Sequence, residues 1–497
     1  MDEAVSRQRQ STLDGLRRYL PPGNLDAAVH AAARLDHVLS QVVTGRSGPA
    51  RAMLAYGGGK DSSYMVAFVR LVQLTMWEQL GRRLQLRMVT NRHAGMPAAV
   101  MANIDRTYQA LGLYDDPDAE LLLVDDGTVS VFDKDLPLPR SVQERNRTDL
   151  LMTGHRCYGE GRPTFCNACN LSMVSSFAVG AEHDDGVDVV ITGDSPREQG
   201  AYMAWVRRLA RQLGVDAKSL RDFASFVQTT DAIAERYYAD IHGGVIDGGA
   251  PLRQLRTPSF FSIYTDTAYE SGDHWDLLTQ FLGFVFDDLA FSFTESDCAN
   301  PALMAHLRGL RAERIFGTGY PAGIGEYVEF ATGLMRVKKF PPHLVEVMHA
   351  RYATADGVRA MRRRMDGYAL AAFGLTEAQL VCMAYSPFAG GGRHLETFLA
   401  AEAPDLTADA QVIHRLLSGA QDGVRPQVAT RLTEISGLPL ASLQTLYAAR
   451  LAAASPAAAI HPRTPIGLVL ADDPHKGTVL TRYSPTARPA PGPISGR

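Results

Sequence analysis

The part of the sequence best suited to chemistry is a run of glycines followed by charged and hydroxyl side chains. It reads Gly57-Gly58-Gly59-Lys60-Asp61-Ser62-Ser63. Glycines lack a Cβ, so their backbone N–H groups can approach an anion closely. Lys60 adds a positive charge, the two serines add hydroxyl donors, and a carboxylate such as Asp61 is a ligand that Mg²⁺ prefers. The run therefore predicts a site for a phosphate group and its metal ion.

The segments on either side of the glycines predict how the site is positioned. The apolar run Ala52–Tyr56 stops abruptly before the glycines, and the apolar residues of Tyr64–Leu74 recur with helical spacing. A strand, a glycine loop and a helix therefore follow one another, and the positive end of the helix dipole faces the loop. The spacing excludes a P-loop, which ends in Gly-Lys-Ser/Thr, and a dinucleotide fingerprint, which needs a further glycine three residues on.

Strands and helices alternate along the chain beyond the loop. Strands are predicted at 86–90, 120–124 and 187–191, and helices at 100–111 and 171–182. Such alternation is typical of parallel βαβ units, so we predict an open parallel α/β sheet. Helical patterns follow at 201–213, 220–238 and 274–286, a possible strand lies at 260–264, and a further helical region runs from about 341 to 454.

Two short motifs carry a resemblance to a known family. The string Gly57-Gly58-Gly59-Lys60-Asp61-Ser62 resembles the Ser-Gly-Gly-X-Asp-Ser signature of the PP-loop ATP pyrophosphatase superfamily, with Gly57 in place of the first serine. Thr192-Gly193-Asp194 resembles the Thr-Gly-His/Asp turn that the superfamily places opposite its loop. The resemblance covers about residues 50–340 and implies a sheet of HUP type with strand order 3-2-1-4-5. Strands 1 and 4 of that order are neighbours whose connections leave to opposite faces, where ligands bind in such sheets.

The resemblance also implies a reaction. ATP, held with Mg²⁺, is cleaved between its α and β phosphates when a substrate carbonyl oxygen attacks the α phosphorus, and a nucleophile then displaces AMP. The contact of the missing serine must come from Tyr56 or from the backbone, or it is absent. The implied catalytic residues are Lys60, Asp61 and Ser62, and the implied nucleotide-binding residues are Gly57, Gly58, Gly59, Ser63, Thr90, Asn91, Thr192, Gly193 and Asp194.

Four cysteines form a second group with a chemical role. Cys166 and Cys169 have the spacing that brings two thiolates to one metal ion, while Cys157 and Cys298 can complete a set of four. Paired cysteines with a distant third resemble two branches of the superfamily. One is similar to tRNA 2-thiolation enzymes, which hold a [4Fe-4S] cluster, and the other to N-acetyl sugar amidotransferases, which hold zinc. Zinc, the iron-sulfur cluster and unligated thiols all remain open from the sequence.

Length, composition and charge narrow the class of protein. The 497 residues, 46% of them hydrophobic, suit a globular enzyme of several domains and exclude a disordered, collagen-like or coiled-coil chain. A formal net charge of −4 supplies no general attraction for nucleic acid, so a small-molecule substrate is expected. The N-terminus is polar and no run of about 18 apolar residues is present, which predicts a cytoplasmic protein without a membrane span.

Five consecutive segments are predicted from these patterns. They are a helical N-terminal cap at 1–48, the PP-loop core at 49–215, a helical substrate region at 216–340, a helical domain at 341–455 and a proline-rich, loosely ordered tail at 456–497. The glycine-rich stretch at 317–325 is interpreted as a mobile lid, and 428–446 as a helical hairpin with too few basic residues to read DNA. Cys382, in an apolar stretch, is predicted to pack in the core.

Basic residues outside the loop have two interpretations. Arg197, Arg336, Lys338 and Lys339 form either a clamp for phosphate or an anionic substrate, or an ordinary solvated surface.

The sequence as a whole predicts an AMP-forming ligase or amidotransferase that uses an amine or ammonia, with any ammonia supplied free or by a separate protein. Sulfur transfer to a small molecule or RNA base, with a sulfur donor protein, is the alternative enzyme. A nucleotide-binding regulator without turnover is the alternative of a different class.

Overall fold

The structure is a computed structural model, and it describes residues 3–43, 48–166, 169–217, 220, 222–244, 257–267, 274–286, 301–337, 339–420, 425–471 and 473. The chain forms two compact units, each assembled from non-consecutive ranges. Unit 1 contains Met1–Leu138, Asn170–Ile233 and Gly248–Asp297, and unit 2 contains Pro139–Cys169, Ala234–Asp247 and Cys298–Arg497.

Helices make up most of both units. In chain order they are α1 Glu3–Tyr19, α2 Pro22–Val42, α3 Lys60–Leu80, α4 Ala98–Ala110, α5 Arg140–Arg156, α6 Gly161–Cys166, α7 Cys169–Glu182, α8 Pro196–Leu213, α9 Phe223–His242, α10 Pro301–Arg314, α11 Tyr320–Val337, α12 Pro342–Tyr352, α13 Ala355–Phe373, α14 Glu377–Tyr385, α15 Leu395–Glu402, α16 Ala410–Leu417, α17 Pro426–Ser436, α18 Leu440–Ala448 and α19 Pro465–Leu470. Short 3-10 turns lie at Tyr264–Asp266 and Pro404–Asp409, and a π-helical turn lies at Leu277–Phe281.

Unit 1 is built on a six-stranded sheet. Its strands are β1 Ala50–Ala55, β2 Leu84–Asn91, β3 Ala119–Asp125, β4 Thr128–Val131, β5 Val189–Thr192 and β6 Ser259–Ser262. They lie in the order β4-β3-β2-β1-β5-β6, and every neighbouring pair is parallel except β3 and β4. In register, Leu54 of β1 lies opposite both Met88 of β2 and Ile191 of β5. The prediction of an α/β protein with a mainly parallel sheet is confirmed.

Alternate side chains of the strands feed two separate cores. Leu54, Met88 and Ile191 belong to the core that helices α1 to α4 cover on one face, whereas Met53 and Val190 belong to the core that α7 and the first turns of α9 cover on the other. This alternation follows from the two-residue period of a strand. The chain thus leaves β1 toward one face, into α3, and after β5 it packs α9 against the other face. The carboxyl ends of β1 and β5 therefore flank a topological switch point.

Helices form the described part of unit 2, and α10 lies in its core. Gly323 of α11 packs directly on α10, since a Cβ at Gly323 would come within 2.6 Å of the Arg308 carbonyl oxygen. The prediction of a mobile lid at 317–325 is wrong, because helix α11 begins at Tyr320 and uses Gly323 for this close helix contact. The predicted hairpin at 428–446 is confirmed as α17 and α18, and Cys382 is confirmed as fully buried.

Three further sequence predictions need correction. Strand β4 was not predicted, although Asp126-Gly127 forms a two-residue turn in which both residues have positive φ, at 48° and 86°. The predicted helix at 274–286 is reduced to the π-helical turn Leu277–Phe281, and Gly283 follows it with a φ of 64°. In the predicted loose tail, Pro465–Leu470 is instead a helix with Ile466 and Val469 buried. Positions 472 and 474–497 of the tail lie outside the described residues.

No single helix in the described ranges is both long and apolar enough to cross a membrane; by length and composition only α13 and α14 qualify, as a pair bent by 87°.

Candidate functional site

The glycine loop lies at the carboxyl end of β1 and leads directly into α3. Gly59 is the residue before the helix, and its extended backbone places the first turn of α3, which begins at Lys60, next to the loop. Gly58 has a φ of 76°, and a Cβ there would come within 2.7 Å of Val100 Cγ1 and 2.8 Å of Ile104 Cγ1. Glycine is therefore required at position 58 both by backbone conformation and by the close approach of α4.

The loop offers free hydrogen-bond donors. Within the part of the chain that the structure describes, the amides of Gly57, Gly58 and Gly59 have no hydrogen-bond acceptor. Gly58 and Gly59 are buried, while Gly57, Asp61 and Ser62 are half-buried and give the loop access to solvent. Buried amides without a partner are rare in proteins, because each one loses its hydrogen bond to water. Together with the dipole of the 21-residue helix α3, these donors have the arrangement that is typical of anion-binding sites at helix N-termini.

The charged and hydroxyl side chains of the motif are held close to the loop. Lys60 is 2% exposed at its side chain, and its ammonium group pairs with the carboxylate of Asp61. The hydroxyls of Ser62 and Ser63 donate to the Gly59 carbonyl oxygen, at 2.9 Å and 2.8 Å. The structure therefore brings Lys60, Asp61 and Ser62 together at the start of α3, as the motif predicts.

Tyr56 and Thr90 have structural contacts that the sequence did not reveal. The Tyr56 hydroxyl donates to Thr107 Oγ1 at 2.9 Å and lies 2.8 Å from Ser63 Oγ. Thr90, at the end of β2, donates to the Tyr56 carbonyl oxygen at 3.0 Å and is fully buried. These bonds tie the residue preceding the loop to β2, α3 and α4. Tyr56 therefore supports the loop through the hydrogen bonds that its hydroxyl makes in the core.

The Thr192-Gly193-Asp194 turn lies beside the beginning of α3. A Cβ at Gly193 would come within 2.4 Å of the terminal carbon of Met65, which belongs to the second turn of α3. Gln199 fixes the turn from α8, since its side-chain amide donates to Thr192 Oγ1 at 3.3 Å and to the Asp194 carbonyl oxygen at 3.2 Å. The two predicted motifs are thus neighbours at the carboxyl edge of the sheet.

A capping box starts α8 just after this turn. The Ser195 hydroxyl accepts from the Glu198 amide at 3.2 Å, and the Glu198 carboxylate accepts from the Ser195 amide at 2.8 Å. This arrangement stabilises the first turn of a helix. It uses the carboxylate of Glu198, whereas Arg197, one residue earlier, is exposed.

The segment after β2 contains an ion pair that the sequence did not reveal. Arg92 donates from Nε to Asp125 Oδ1 at 2.8 Å, its Nη2 pairs with the other oxygen of that carboxylate, and a further bond reaches the Pro137 carbonyl oxygen at 3.2 Å. The pair joins the carboxyl ends of β2 and β3 and borders the half-buried residue Asn91. Adjacent strand ends in the sheet order are the signal that could have predicted it.

The predicted cysteine site can be followed only in part. Cys157 is a buried thiol that donates to the Thr153 carbonyl oxygen at 3.2 Å, and burial raises its pKa to about 11. The side chains of Cys166 and Cys169, which end α6 and begin α7, and the whole of Cys298 lie outside the described residues. Zinc or an iron-sulfur cluster bound by these cysteines therefore stays a prediction.

The remaining basic residues of the predicted clamp belong to unit 2. Arg336 is exposed and lies 3.0 Å from His349 Nε2, and Lys339 is exposed as well, whereas Lys338 lies outside the described residues. Their role as a clamp stays a prediction. Comparison of the chain with protein-family models, with curated proteins and with solved structures gave no match.

Proposed function

We propose that this protein is an ATP pyrophosphatase of the PP-loop type, which adenylates an oxygen of a small-molecule substrate and releases pyrophosphate. One observation carries the proposal. Three glycine amides without acceptors lie between β1 and α3, beside the Thr192-Gly193-Asp194 turn that follows the neighbouring strand β5. Ligands of open α/β sheets bind where adjacent strands lead to opposite faces. The order β3-β2-β1-β5-β6 of the parallel strands further supports a sheet of HUP type.

The residues of the loop fit the phosphates of ATP. Amides of Gly57, Gly58 and Gly59 supply donors that need no side-chain rearrangement, and the space around Gly58 admits no Cβ. Lys60 provides a cation within the same turn of the chain. Asp61 would hold Mg²⁺, which offsets charge on the leaving pyrophosphate when it is bound.

The ion pair between Lys60 and Asp61 gives each residue a defined task. In the protein without nucleotide, the ammonium and carboxylate compensate each other at the edge of the core. A phosphate anion competes for Lys60, and a cation competes for Asp61. ATP and Mg²⁺ arriving together can replace both halves of the pair, so neither the buried Lys60 nor the half-buried Asp61 is left without an opposite charge.

The proposed reaction has two steps. In the first, a substrate carbonyl or carboxylate oxygen forms a bond to the α phosphorus, and the bond between that phosphorus and the β-phosphate oxygen breaks. The negative charge that pyrophosphate gains is received by the glycine amides and Lys60. In the second, an amine or ammonia attacks the activated carbon and loses a proton, and AMP leaves with the electron pair. The net negative charge of the chain supports a small-molecule acceptor over RNA.

Nucleotide binding tests the site directly. ATP with Mg²⁺ is titrated into the full chain by calorimetry, in competition with inorganic pyrophosphate and with AMP. Pyrophosphate should compete and AMP should compete weakly, because the loop holds the departing diphosphate. Lys60→Gln should weaken ATP binding by about 10- to 150-fold, which corresponds to the roughly 1.5–3 kcal/mol of a hydrogen bond to a charged group. Lys134→Gln is the control, because Lys134 forms the same type of pair with its neighbour Asp135 in unit 1.

Turnover tests the chemistry. Pyrophosphate release from ATP is measured with a panel of carboxylate and amide acceptors, with and without ammonia, and Asp61→Asn should abolish it with the fold retained. Equal ATP affinity of Lys60→Gln and the wild type would overturn the site. Tight, pyrophosphate-competed ATP binding without release for any acceptor would instead favour the nucleotide-binding regulator.

A further inference from the structure

His306 in unit 2 has an unsatisfied nitrogen deep in the protein. The residue lies on α10 and is fully buried. Its Nδ1 lies 2.7 Å from the Tyr320 hydroxyl, whereas its Nε2 forms no hydrogen bond with any residue that the structure describes. A buried imidazole nitrogen that lacks a well-aligned hydrogen bond loses its bond to water without full compensation.

The unsatisfied nitrogen faces an equally unsatisfied oxygen. Asp366 Oδ1, from α13, lies at the ion-pair distance of 3.2 Å from His306 Nε2; it too is shielded from solvent, and neither atom has a well-aligned hydrogen bond with the described residues. Two lone pairs repel each other at this separation unless a proton on one of the atoms, or a metal ion, lies between them. A proton or a metal ion is therefore required between them.

A third ligand atom converges on the same point. Glu377, the first residue of α14, places a carboxylate oxygen so that it, His306 and Asp366 lie within 4.8 Å of one another. The two oxygens of Glu377 also accept from Arg362, at 2.6 Å and 2.7 Å, which orients the carboxylate. We infer that His306, Asp366 and Glu377 form a binding site for a divalent transition-metal ion of the zinc class.

The donor set selects the class of metal. One imidazole nitrogen with two carboxylates suits Zn²⁺ or Co²⁺, while Mg²⁺ and Ca²⁺ prefer oxygen ligands throughout. Three protein ligands leave a coordination position for water. The side chains of Asp366 and Glu377 are 32% and 26% exposed, so the carboxylate side of the site is open to solvent while the imidazole side is buried.

The surroundings of His306 match those of a metal ligand. Metal-binding histidines usually donate their second N–H to a nearby acceptor, which fixes the ring and its tautomer. The Tyr320 hydroxyl is placed to accept from Nδ1, and this assignment leaves the lone pair of Nε2 directed at the site. The Tyr320 ring is itself held against the Arg362 guanidinium, 4.8 Å from the ring centroid.

Zinc binding to the chelator-treated full chain tests the inference. Equilibrium dialysis against Zn²⁺, with Mg²⁺ as the comparison ion, should give one equivalent of zinc that Asp366→Asn removes. Tyr320→Phe keeps the aromatic ring and removes only the hydroxyl beside His306 Nδ1. It should weaken zinc binding by about 10- to 100-fold, the usual cost of losing the hydrogen-bond partner of a metal ligand. The matched control is Glu313→Gln, because Glu313 also accepts from Arg362, at 2.7 Å, but is no member of the ligand set.

Cobalt separates this site from any cysteine site. Thiolate ligands give Co²⁺ an intense near-ultraviolet charge-transfer band that nitrogen and oxygen ligands do not give. The metal site that Asp366→Asn removes should lack that band when it is loaded with Co²⁺. Glu377→Gln should remove the same site, and it replaces Asp366→Asn as the test if that variant folds poorly. A wild-type zinc content that neither Asp366→Asn nor Glu377→Gln lowers would overturn the inference. So would equal weakening by Glu313→Gln and Asp366→Asn, and both results would leave His306 and Asp366 as a proton-linked pair.

Discussion

Gly58 is the residue on which the geometry of the loop depends most directly. Its φ of 76° and the proximity of Val100 and Ile104 leave no room for a methyl group. Gly58→Ala should destabilise unit 1 by about 1–3 kcal/mol, the usual cost of backbone strain of this kind, and should abolish ATP binding. All three tryptophans, Trp77, Trp205 and Trp275, lie in unit 1, so tryptophan fluorescence during urea unfolding measures this loss.

Gly23→Ala is the control for this prediction. Gly23 lies in the first turn of α2 in unit 1, and a Cβ there would meet nothing within 4 Å. The substitution should leave both stability and ATP binding near the wild-type values. Equal unfolding free energies for Gly58→Ala and Gly23→Ala would show that the loop adapts and that position 58 does not fix it.

Single residues could be predicted from the sequence where the motif is local. The glycines, Lys60 and Asp61 are consecutive in the sequence, so their motif is visible without knowledge of the fold. The structure places Lys60 and Asp61 at the start of α3. The bonds of Tyr56 to Thr107 and of Arg92 to Asp125 join positions 51 and 33 residues apart. Such pairs depend on which elements the fold makes neighbours. The predicted strand order places 92 and 125 at adjacent strand ends, but no local pattern identifies Thr107 as the partner of Tyr56. His306, Asp366 and Glu377 escaped for the same reason, because they come from three helices.

Among the elements, α1 is tied to the sheet by a buried ionic network. Arg9 of α1 donates to Asp116 Oδ2 at 2.9 Å, and Arg70 of α3 donates to the same oxygen at 2.8 Å. Asp116 lies in the connection between α4 and β3. Burial alone would raise the pKa of Asp116, but hydrogen bonds from Arg9 and the charge of Arg70 outweigh burial and lower it. The carboxylate is thus stable as an anion inside the core.

This network predicts how acid affects unit 1. Because the pKa of Asp116 is lower in the folded protein, its contribution is complete above the ordinary carboxyl pKa of about 3.9 and is lost as pH falls below that value. Asp116→Asn should cost about 3–5 kcal/mol at neutral pH, since it leaves the charge of the fully buried Arg70 without this carboxylate. Its unfolding free energy should also fall less steeply than that of the wild type between about pH 5 and 3.

Tryptophan-detected unfolding at several pH values provides this measurement. Asp14→Asn is a suitable control, because Asp14 is on α1, the helix that carries Arg9, and its side chain is 64% exposed. Identical pH slopes for the wild type and Asp116→Asn would contradict the assignment of the acid response to this carboxyl group.

Helices and strands with a clear apolar period could be predicted from the sequence. Elements that are very short, or that end where the backbone conformation changes, could not. The strands at 84–91 and 119–125 and the helix at 98–110 come within two residues of the patterns that predicted them. Strand β4 was overlooked because its alternation covers four residues, too few to outweigh the acidic residues before it. The predicted helix at 274–286 has an apolar period, but the left-handed backbone at Gly283 directs the chain elsewhere.

At the scale of the whole molecule, the two proposed ligands belong to different units. The glycine loop is in unit 1, and His306, Asp366 and Glu377 are in unit 2. Hydrogen exchange at short labelling times should therefore respond separately to each ligand. ATP with Mg²⁺ should protect peptides covering 56–63, and Zn²⁺ should protect peptides from α10, α13 and the start of α14, because a bound ligand suppresses local opening at its own site.

The loop and metal variants serve as controls for each other. Lys60→Gln should remove only the protection by ATP, and Asp366→Asn only the protection by zinc. Zinc protection that appears at 56–63 and is absent from α10 would contradict the placement of the metal site.

Division of the chain into units could not be predicted from consecutive segments. The sequence patterns predicted five successive regions, whereas each compact unit draws on three separate ranges. Residues 139–169 follow the first half of the sheet in sequence yet belong to the helical unit, and residues 170–233 return to the sheet. The helical period of a segment indicates that one apolar face is buried, but it does not indicate which element covers that face.

Both outer strands of the described sheet are short, and the inner strand β5 has four residues as well. Strands β4 and β6, at the two outer positions of the described sheet, each contain four residues, whereas the inner strands β2 and β3 contain eight and seven. A short edge offers an intruding polypeptide few backbone groups to pair with, which is a common protection against fibrillar self-association. The long strands β2 and β3 thereby lie inside the sheet, where both of their edges are already paired.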